Sequence, residues 1–428
     1  MTAEECDILI IGGGPAGSTA AALLAERGRD VVVVEKDCHP RFHIGESLLP
    51  LNTKTFDRLG VREQVAAMGV LKPGAEFVSD ATGRRVHFAF ANGLDKHYTY
   101  SWKVRRADFD TLLFRSAASR GARMVENTRV TQVEFGMPGA RASVTAVGPD
   151  GSTRHYVPRF VVDASGRDTL LASKLRNKRA NKYNNTAALF AHFTGVERRE
   201  AELEGYISVH LVDDGWFWLI PLPDGVMSVG FVGNQSAFKN RQGSAHEMFM
   251  ARLRGSPSVS ARMRDAVPVT EIVSTGNFSY DAASSWGEGY LMIGDAFAFI
   301  DPVFSSGVLL AMTAAERGAD VADAWLDDPK KGRAEAKRME RDLRYAMGRI
   351  AWLIYRINNP VLRMLFMAPR NTLRMRDGLV SLLAGNLRGS WNTVMPVLAF
   401  KSVYHVVSLA VRLGLVAEPH RGTPGAAE

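Results

Sequence analysis

The first residues whose types and spacing could do chemistry lie near the N-terminus. Gly12, Gly14 and Gly17 fit the pattern G-x-G-x-x-G, and an acidic residue, Glu35, follows about 20 residues later. Glycines at this spacing let the backbone approach a pyrophosphate, and a carboxylate at this distance accepts hydrogen bonds from the ribose hydroxyls of an adenosine nucleotide. We therefore expect a dinucleotide site, although the pattern alone does not separate FAD from NAD.

Two short strands and a helix must position these groups. Residues 7–11 and 31–34 are apolar runs typical of buried strands, and the alanine-rich stretch 18–27 between them is typical of a helix. This order puts the glycine-rich turn at the helix N-terminus, where anions bind. The sequence thus predicts a β-α-β unit of an α/β fold.

Three later blocks carry further candidates. VVDASGR at 161–167 and YLMIGDAFAFIDPVFSSGV at 290–308 each read as a strand that runs into a turn of small residues. KVRRADFDTLL at 103–113 begins a helix with acidic residues in its first turn. We expect these turns to extend the nucleotide site.

A pair of tryptophans stands out in DDGWFWLIPLPDG at 213–225, in a chain with seven tryptophans. Trp216 and Trp218 are two residues apart, so on a strand their side chains face the same side. The pair could form an aromatic wall between two compartments. Ordinary core packing is the alternative interpretation.

Composition limits the class of protein. With 428 residues and 46% hydrophobic residues the chain is globular, and its net charge of +8 suits an anionic cofactor, an acidic partner or a membrane surface. Two cysteines build no disulfide framework, and no Cys/His cluster has zinc spacing, so we expect no metal. The apolar stretch 396–415 is interrupted by Lys401, His405 and Arg412, which favours a packed or amphipathic helix over a transmembrane segment. We expect a cytoplasmic monomer or homodimer that binds no nucleic acid.

Taken together, the blocks resemble the FAD-binding fold of the aromatic hydroxylases and glutathione-reductase-like flavoproteins. That resemblance implies FAD, with Asp295 at the ribityl chain and Arg106 along the phosphate and ribityl part. The stretch 216–221 matches W-x-W-x-I-P, and with RFHIGESLLP at 41–50 and GVLKPGAEF at 69–77 it resembles the flavin-dependent halogenases. The resemblance covers about residues 5–325.

The halogenase resemblance implies a reaction with two stages. Reduced FAD and oxygen give a flavin hydroperoxide, halide attacks it to give hypohalous acid, and a lysine relays the halogen to the substrate. Lys72 stands at the position of that lysine, and burial would suit it by lowering its pKa. If Lys72 has no such role, we expect an exposed loop lysine. The wall between flavin and substrate is expected at Trp216, Trp218, Pro221 and Phe304.

The remaining site residues follow from the same resemblance. Chloride or bromide is expected at Ser305, Ser306 and Gly307, a turn that could equally serve the flavin ring and in which Gly307 is expected to favour a positive φ. Phe304 stands where tryptophan-specific members have a glutamate, which favours an electron-rich phenol or pyrrole, free or carrier-bound, over an indole. The full set of expected cofactor contacts is Gly12, Gly14, Ala16, Gly17, Glu35, Lys36, Arg41, Ser47, Arg106, Val130, Asp295, Pro302 and Gly307.

No second nucleotide fingerprint is present, so a separate NAD(P)H-dependent reductase is expected to supply reduced flavin. Three alternatives on the same fold remain open: an aromatic monooxygenase, a reductase of isoprenoid double bonds, and an FAD-binding subunit without turnover.

The predicted architecture has three parts. Residues 1–72, 100–175 and 270–325 form a glutathione-reductase-like FAD-binding domain, and residues 73–99 and 176–269 form a β-rich substrate domain. A helical region, 326–418, precedes a disordered tail, 419–428. We expect the C-terminal helices to pack over the substrate side, with docking of a carrier protein or acceptance of a lipid-like substrate as alternatives.

Overall fold

A mostly parallel sheet forms the nucleotide-binding half of the molecule. The computed structural model describes residues 3–137, 139–181, 186–234, 237–238, 243–276 and 279–417. The main strands of this sheet, in spatial order, are Trp286–Gly287, Tyr290–Met292, Thr153–Asp163, Glu4–Ile11, Val31–Val34 and Arg123–Val125. Ser143–Val147 extends it as an antiparallel strand beside Thr153–Asp163, and Arg129–Glu134 pairs in turn with Ser143–Val147. All four residues of Val31–Val34 are buried, as in a parallel strand covered on both faces.

Helices cover this sheet and confirm the predicted β-α-β unit. The first helix, Pro15–Ala25, follows Glu4–Ile11 directly and packs against the helices Arg106–Ser119 and Gly307–Asp327. It begins at Pro15, earlier than expected, because proline is well suited to the first turn of a helix. Its alanine-rich sequence allows the close packing, since all of its residues except Ala25 are buried.

A second sheet forms the β-rich layer. Its strands, in spatial order, are Val267–Pro268, Thr186–Thr194, Met227–Asn234, Gly215–Pro221, Ile207–Val212, Gly74–Ser79 and Arg85–Ala89. Val273–Gly276 also pairs with Thr186–Thr194, although the sequence assigns it to the FAD-binding domain. This short strand is mostly exposed and carries no apolar alternation that would identify its sheet.

Two small ladders connect the layers. Val70–Lys72 pairs with Ser101–Lys103, and Lys178–Ala180, Tyr280–Ala282 and Ala298–Phe299 form another ladder. The short helices of the two layers are Asn52–Arg58, Arg62–Met68, Leu170–Lys174, Ala245–Arg254 and Pro257–Arg262.

The last quarter of the chain is helical, as predicted. Its helices are Pro329–Ile354, Pro360–Met367, Met375–Leu383 and Trp391–Arg412. Pro329–Ile354 joins the two layers, because Met339 lies in the core of the nucleotide-binding half while Ile350 lies in the core under the second sheet. The predicted disordered tail lies outside the described residues.

One of these helices bears on the prediction of no transmembrane segment. Trp391–Arg412 is long and apolar enough to cross a membrane by length and composition, and 22% of its apolar window is buried inside the protein. The prediction therefore stays a prediction.

Candidate active site

A cavity of about 330 Å³ opens between the two sheets. All expected cofactor contacts except Gly17 line it: Gly12, Gly14, Ala16, Glu35, Lys36, Arg41, Ser47, Arg106, Val130, Asp295, Pro302 and Gly307. The fold thus brings together residues that lie as far apart in the sequence as Gly12 and Gly307. No group of three or more His, Cys, Asp or Glu side chains in the described residues could hold a metal ion.

The glycine-rich turn is shaped by two different constraints. Gly12 has a φ of +101°, a conformation that favours glycine, and a β-carbon there would overlap the carbonyl oxygen of Ala164. A β-carbon on Gly17 would overlap the carbonyl oxygen of Gly12. Gly17 is therefore required for the close packing of helix against strand. It does not line the cavity, and its contact with the cofactor stays a prediction.

Glu35 holds the turn in place. One carboxylate oxygen accepts a hydrogen bond of 2.7 Å from the backbone N–H of Gly13, and the other accepts one of 3.0 Å from that of Asp37. The carboxylate is almost fully buried, yet it lines the cavity. Its contact with a ribose stays a prediction, and its backbone contacts add a structural role.

Buried charges surround the centre of the cavity. Arg106 forms a bidentate ion pair with Asp110, at 2.7 and 3.0 Å, and donates a third hydrogen bond to the carbonyl of Ile44. Arg41 lies 3.6 Å from Asp110 and 3.5 Å from Glu35. Enclosure by the protein raises the pKa of Asp295 from 3.8 to about 6, although Arg106 and Arg167 act in the opposite direction.

Two unsatisfied polar atoms test whether these residues fit FAD. The Nε of Arg41 and the Oε2 of Glu46 are buried, and neither has a hydrogen-bond partner within the described part of the chain. Both residues line the cavity. Buried polar atoms of this kind are costly unless a ligand or water satisfies them. A pyrophosphate would accept from Arg41 and a donor would satisfy Glu46, so the residues fit the cofactor.

The turn expected to seat halide lies at the start of the helix Gly307–Asp327. Ser305 and Gly307 line the cavity, whereas Ser306 is buried and does not. The left-handed conformation belongs to Ser305, with a φ of 57°, so the expectation of a positive φ at Gly307 is wrong. A β-carbon on Gly307 would meet no atom within 4 Å, because it would point into open space.

The tryptophan pair lies on the central strand Gly215–Pro221. Trp216 and Trp218 both line the cavity, with ring centroids 5.8 Å apart, so the prediction that they face one side is confirmed. The indole N–H of Trp218 donates to Ser228. Gly230 on the neighbouring strand leaves room for the Trp218 ring, since a β-carbon there would overlap it.

The other two residues expected in the wall lie elsewhere. Pro221 ends the strand and does not line the cavity. Phe304 is buried and does not line the cavity, and its ring packs 6.0 Å from Phe77 and 6.1 Å from Phe366. The cavity wall thus contains indole rings, whereas Phe304 belongs to a cluster of phenylalanines that does not line the cavity.

Lys72 is fully buried at the end of the strand Val70–Lys72, so the interpretation as an exposed loop lysine is wrong. Its ammonium donates a 2.9 Å hydrogen bond to the carbonyl of Leu48 and lies 5.3 Å from the centre of the Phe90 ring. Burial, together with the charge of Lys103, holds its pKa well below the usual value. Lys72 does not line the cavity, and Leu48 directly follows Ser47, which does.

Comparison with known proteins assigns a family to this arrangement. The family model described as tryptophan halogenase matches residues 7–99 and 92–358. The chain belongs to this family of flavin-dependent halogenases. The tryptophan 2-halogenase of Chondromyces crocatus is 37% identical over 315 residues, which cover 72% of this chain and 59% of that protein.

Solved structures agree with this family assignment. The myxobacterial chondrochloren halogenase is 31% identical with a TM-score of 0.78, and the match covers 82% of each chain. A flavoprotein/dehydrogenase from Cytophaga hutchinsonii is 27% identical with a TM-score of 0.84, covering 95% of this chain and 100% of that one. The chain spans only 59–65% of the length of the first curated relatives that it matches. FAD as the cofactor and the α/β fold are thereby supported, whereas the activity of the whole protein is a proposal.

The sequence alone does not mark several residues of this candidate site. Glu46 lies within RFHIGESLLP, and its Oε1 is 2.6 Å from the Nε2 of His192, a residue on the second sheet that no motif marks. Lys103 is also fully buried, its ammonium bonds to the carbonyl of Gly205, and burial lowers its pKa to about 7. The family motifs could have found Glu46, but the partners of both residues are set only by the tertiary fold.

Proposed function

We propose that this halogenase uses FADH2 and oxygen to chlorinate or brominate an electron-rich aromatic substrate, such as a phenol or pyrrole that is free or bound to a carrier protein. When bound, reduced FAD and oxygen supply the oxidising equivalent that converts halide to hypohalous acid. A separate NAD(P)H-dependent reductase provides the reduced flavin. The need for NAD(P)H fits a cytoplasmic location for the protein. The single observation that carries the proposal is the separation of a buried lysine from the flavin cavity.

Lys72 acts after the oxidant has formed. Its lowered pKa favours the neutral amine, and such an amine accepts halogen from hypohalous acid to give a haloamine and water. Its protonated form can instead donate a hydrogen bond to the oxidant. In both cases the carbonyl of Leu48 fixes the amine within hydrogen-bonding distance of the segment that borders the cavity.

The other site residues hold the reactants and keep them apart. The first N–H groups of the helix Gly307–Asp327 have no partner within the helix and could bind a halide at the turn. Trp216 and Trp218 keep an aromatic substrate from the flavin because their bulky indole rings line the cavity wall. Phe304 offers no carboxylate to assist the halogenation of the substrate. This favours a substrate whose aromatic ring is electron-rich enough to react without a base.

The test is the mass of the product. Protein with reduced FAD and oxygen would be incubated with free and carrier-bound phenols and pyrroles, in chloride, in bromide and in halide-free buffer. We expect products with halogen isotope patterns only when halide is present. Hydroxylated or reduced products that form equally well without halide would instead support the monooxygenase or the double-bond reductase.

A further inference from the structure

The C-terminal helix Trp391–Arg412 has one buried face and one exposed face. Thr393, Pro396, Val397, Phe400 and Tyr404 are buried against the rest of the protein. The exposed side instead carries large apolar residues, which we call the apolar stripe: Trp391, Met395, Leu398, Val406, Leu409 and, just after the helix, Leu413. Trp391 is 76% exposed and Val406 is 68% exposed, so no described part of the chain covers the stripe.

The apolar stripe is narrow and long. At 3.6 residues per turn its positions fall within an arc of about 80° and extend along about 33 Å of helix. Leu373 continues the apolar surface, since it is 72% exposed in the turn Thr372–Arg374, which contacts the helix. An exposed apolar surface of this length marks an interaction site.

The charged residues of the helix itself have one sign. No acidic residue occurs in 378–417, whereas Arg388, Lys401 and Arg412 do. Arg370 is also exposed, and neither it nor Arg412 forms an ion pair with any residue that the structure describes. Apolar residues on one helix face with cations along its flank are typical of helices that lie in the interface of an anionic membrane.

From this surface we infer that the helix Trp391–Arg412 docks the protein on an anionic lipid bilayer, lying along its surface with the apolar stripe in the acyl boundary. The helix does not leave the protein to do so. Gly378 lies so close to Pro396 that a β-carbon would be 2.6 Å from its side chain, and the Trp352 and Tyr404 rings are 5.3 Å apart. Spanning the bilayer would break these contacts, whereas surface docking keeps them.

Charge favours a bilayer over a second copy of the chain. In a symmetric dimer the same patch would face itself, so the unpaired arginines of the two copies would lie close together. The headgroups of an anionic bilayer carry the charge opposite to these arginines, and the acyl boundary beneath them accommodates a long apolar surface.

The experiment is flotation of the full-length, FAD-loaded protein with phosphatidylcholine vesicles that contain either no phosphatidylglycerol or about one part in three. We expect binding to the anionic vesicles at least about tenfold stronger than to the neutral ones, and weaker at high salt. Leu398→Glu with Leu409→Glu should reduce binding at least about tenfold. Val267→Glu, at a 59% exposed position on another surface, is the matched control and should bind like wild type.

A second variant guards against misfolding of the first. Arg370→Gln with Arg412→Gln leaves the stripe intact and should weaken binding to anionic vesicles only, with FAD content and melting temperature unchanged. The inference is overturned if wild type floats with neither vesicle. It is also overturned if the Leu398→Glu, Leu409→Glu variant merely converts a dimer to a monomer, or abolishes binding to an acidic protein, without a change in vesicle binding.

Discussion

At the scale of single residues, the flavin cavity is bordered by carboxylates with different tasks. Glu35 accepts from two backbone N–H groups, whereas Asp295 is enclosed and holds its proton to a higher pH than usual. FAD affinity should therefore depend on the carboxylate oxygens of Glu35, and the pH dependence of stability should depend on Asp295.

Replacing Glu35 with alanine should weaken FAD affinity by about 1–3 kcal/mol, because the N–H of Gly13 and the ribose both lose an acceptor. Flavin fluorescence titration measures the dissociation constant. Glu35→Gln keeps one accepting oxygen and should lie between alanine and wild type. If the alanine variant bound FAD as wild type does, the ribose would have to be held elsewhere.

Asp295 makes stability depend on pH with a definite sign. Its pKa is raised from 3.8 to about 6 in the folded protein, so its stabilising contribution is complete below pH 3.8 and is lost as pH rises through about 6. In protein without cofactor, Asp295→Asn should therefore raise the free energy of unfolding, relative to wild type, more at about pH 7.5 than at about pH 4.5. Denaturant unfolding at both pH values measures the difference, and an equal difference would contradict the account.

At the scale of elements, the two helices that meet the cavity use their glycines differently. Gly17→Ala should prevent folding or lower stability severely, since its β-carbon would overlap the carbonyl oxygen of Gly12. Gly307→Val should leave the free energy of unfolding within about 1 kcal/mol, because its side chain points into open space. It should nevertheless abolish halogenation, as the new side chain occupies the cavity beside the turn. Full activity of folded Gly307→Val would remove this turn from the site.

The tryptophan strand permits a matched comparison. Trp218 and Trp325 are each 7% exposed, but only Trp218 lines the cavity, whereas Trp325 lies in the core of the nucleotide-binding half. Replacement by leucine should destabilise both proteins by about 1–3 kcal/mol. Only Trp218→Leu should lower the amount of product formed per reduced flavin consumed, measured by oxygen uptake and product mass. If both variants formed as much product per reduced flavin as wild type, Trp218 would be an ordinary core residue and not part of a wall.

How far the sequence predicts these elements depends on the range of the contacts. The β-α-β unit and the facing tryptophans follow from local spacing, whereas the choice of Lys72 rests on the family resemblance. The partners of Glu46 and Lys103, the strand Val273–Gly276 and the roles of Gly17 and Gly307 do not, because each depends on which backbone approaches from a distant part of the chain.

At the scale of the whole molecule, the two sheets enclose the flavin cavity, and the core under the second sheet lies next to it. The flavin cavity lies on one side of Trp216 and Trp218, and Lys72 lies outside it, in contact with Phe90 of the core that also contains Phe304. The central claim is that an oxidant made in the flavin cavity is passed by Lys72 to a substrate that does not touch the flavin.

The direct test compares wild type with Lys72→Ala and Lys72→Arg, and measures halogenated product by mass spectrometry at equal consumption of reduced flavin. We expect both variants to keep FAD and to oxidise reduced flavin as wild type does, yet to form almost no halogenated product. Arginine does not substitute because its guanidinium stays protonated and forms no neutral haloamine. Wild-type halogenation by folded Lys72→Ala would contradict the account.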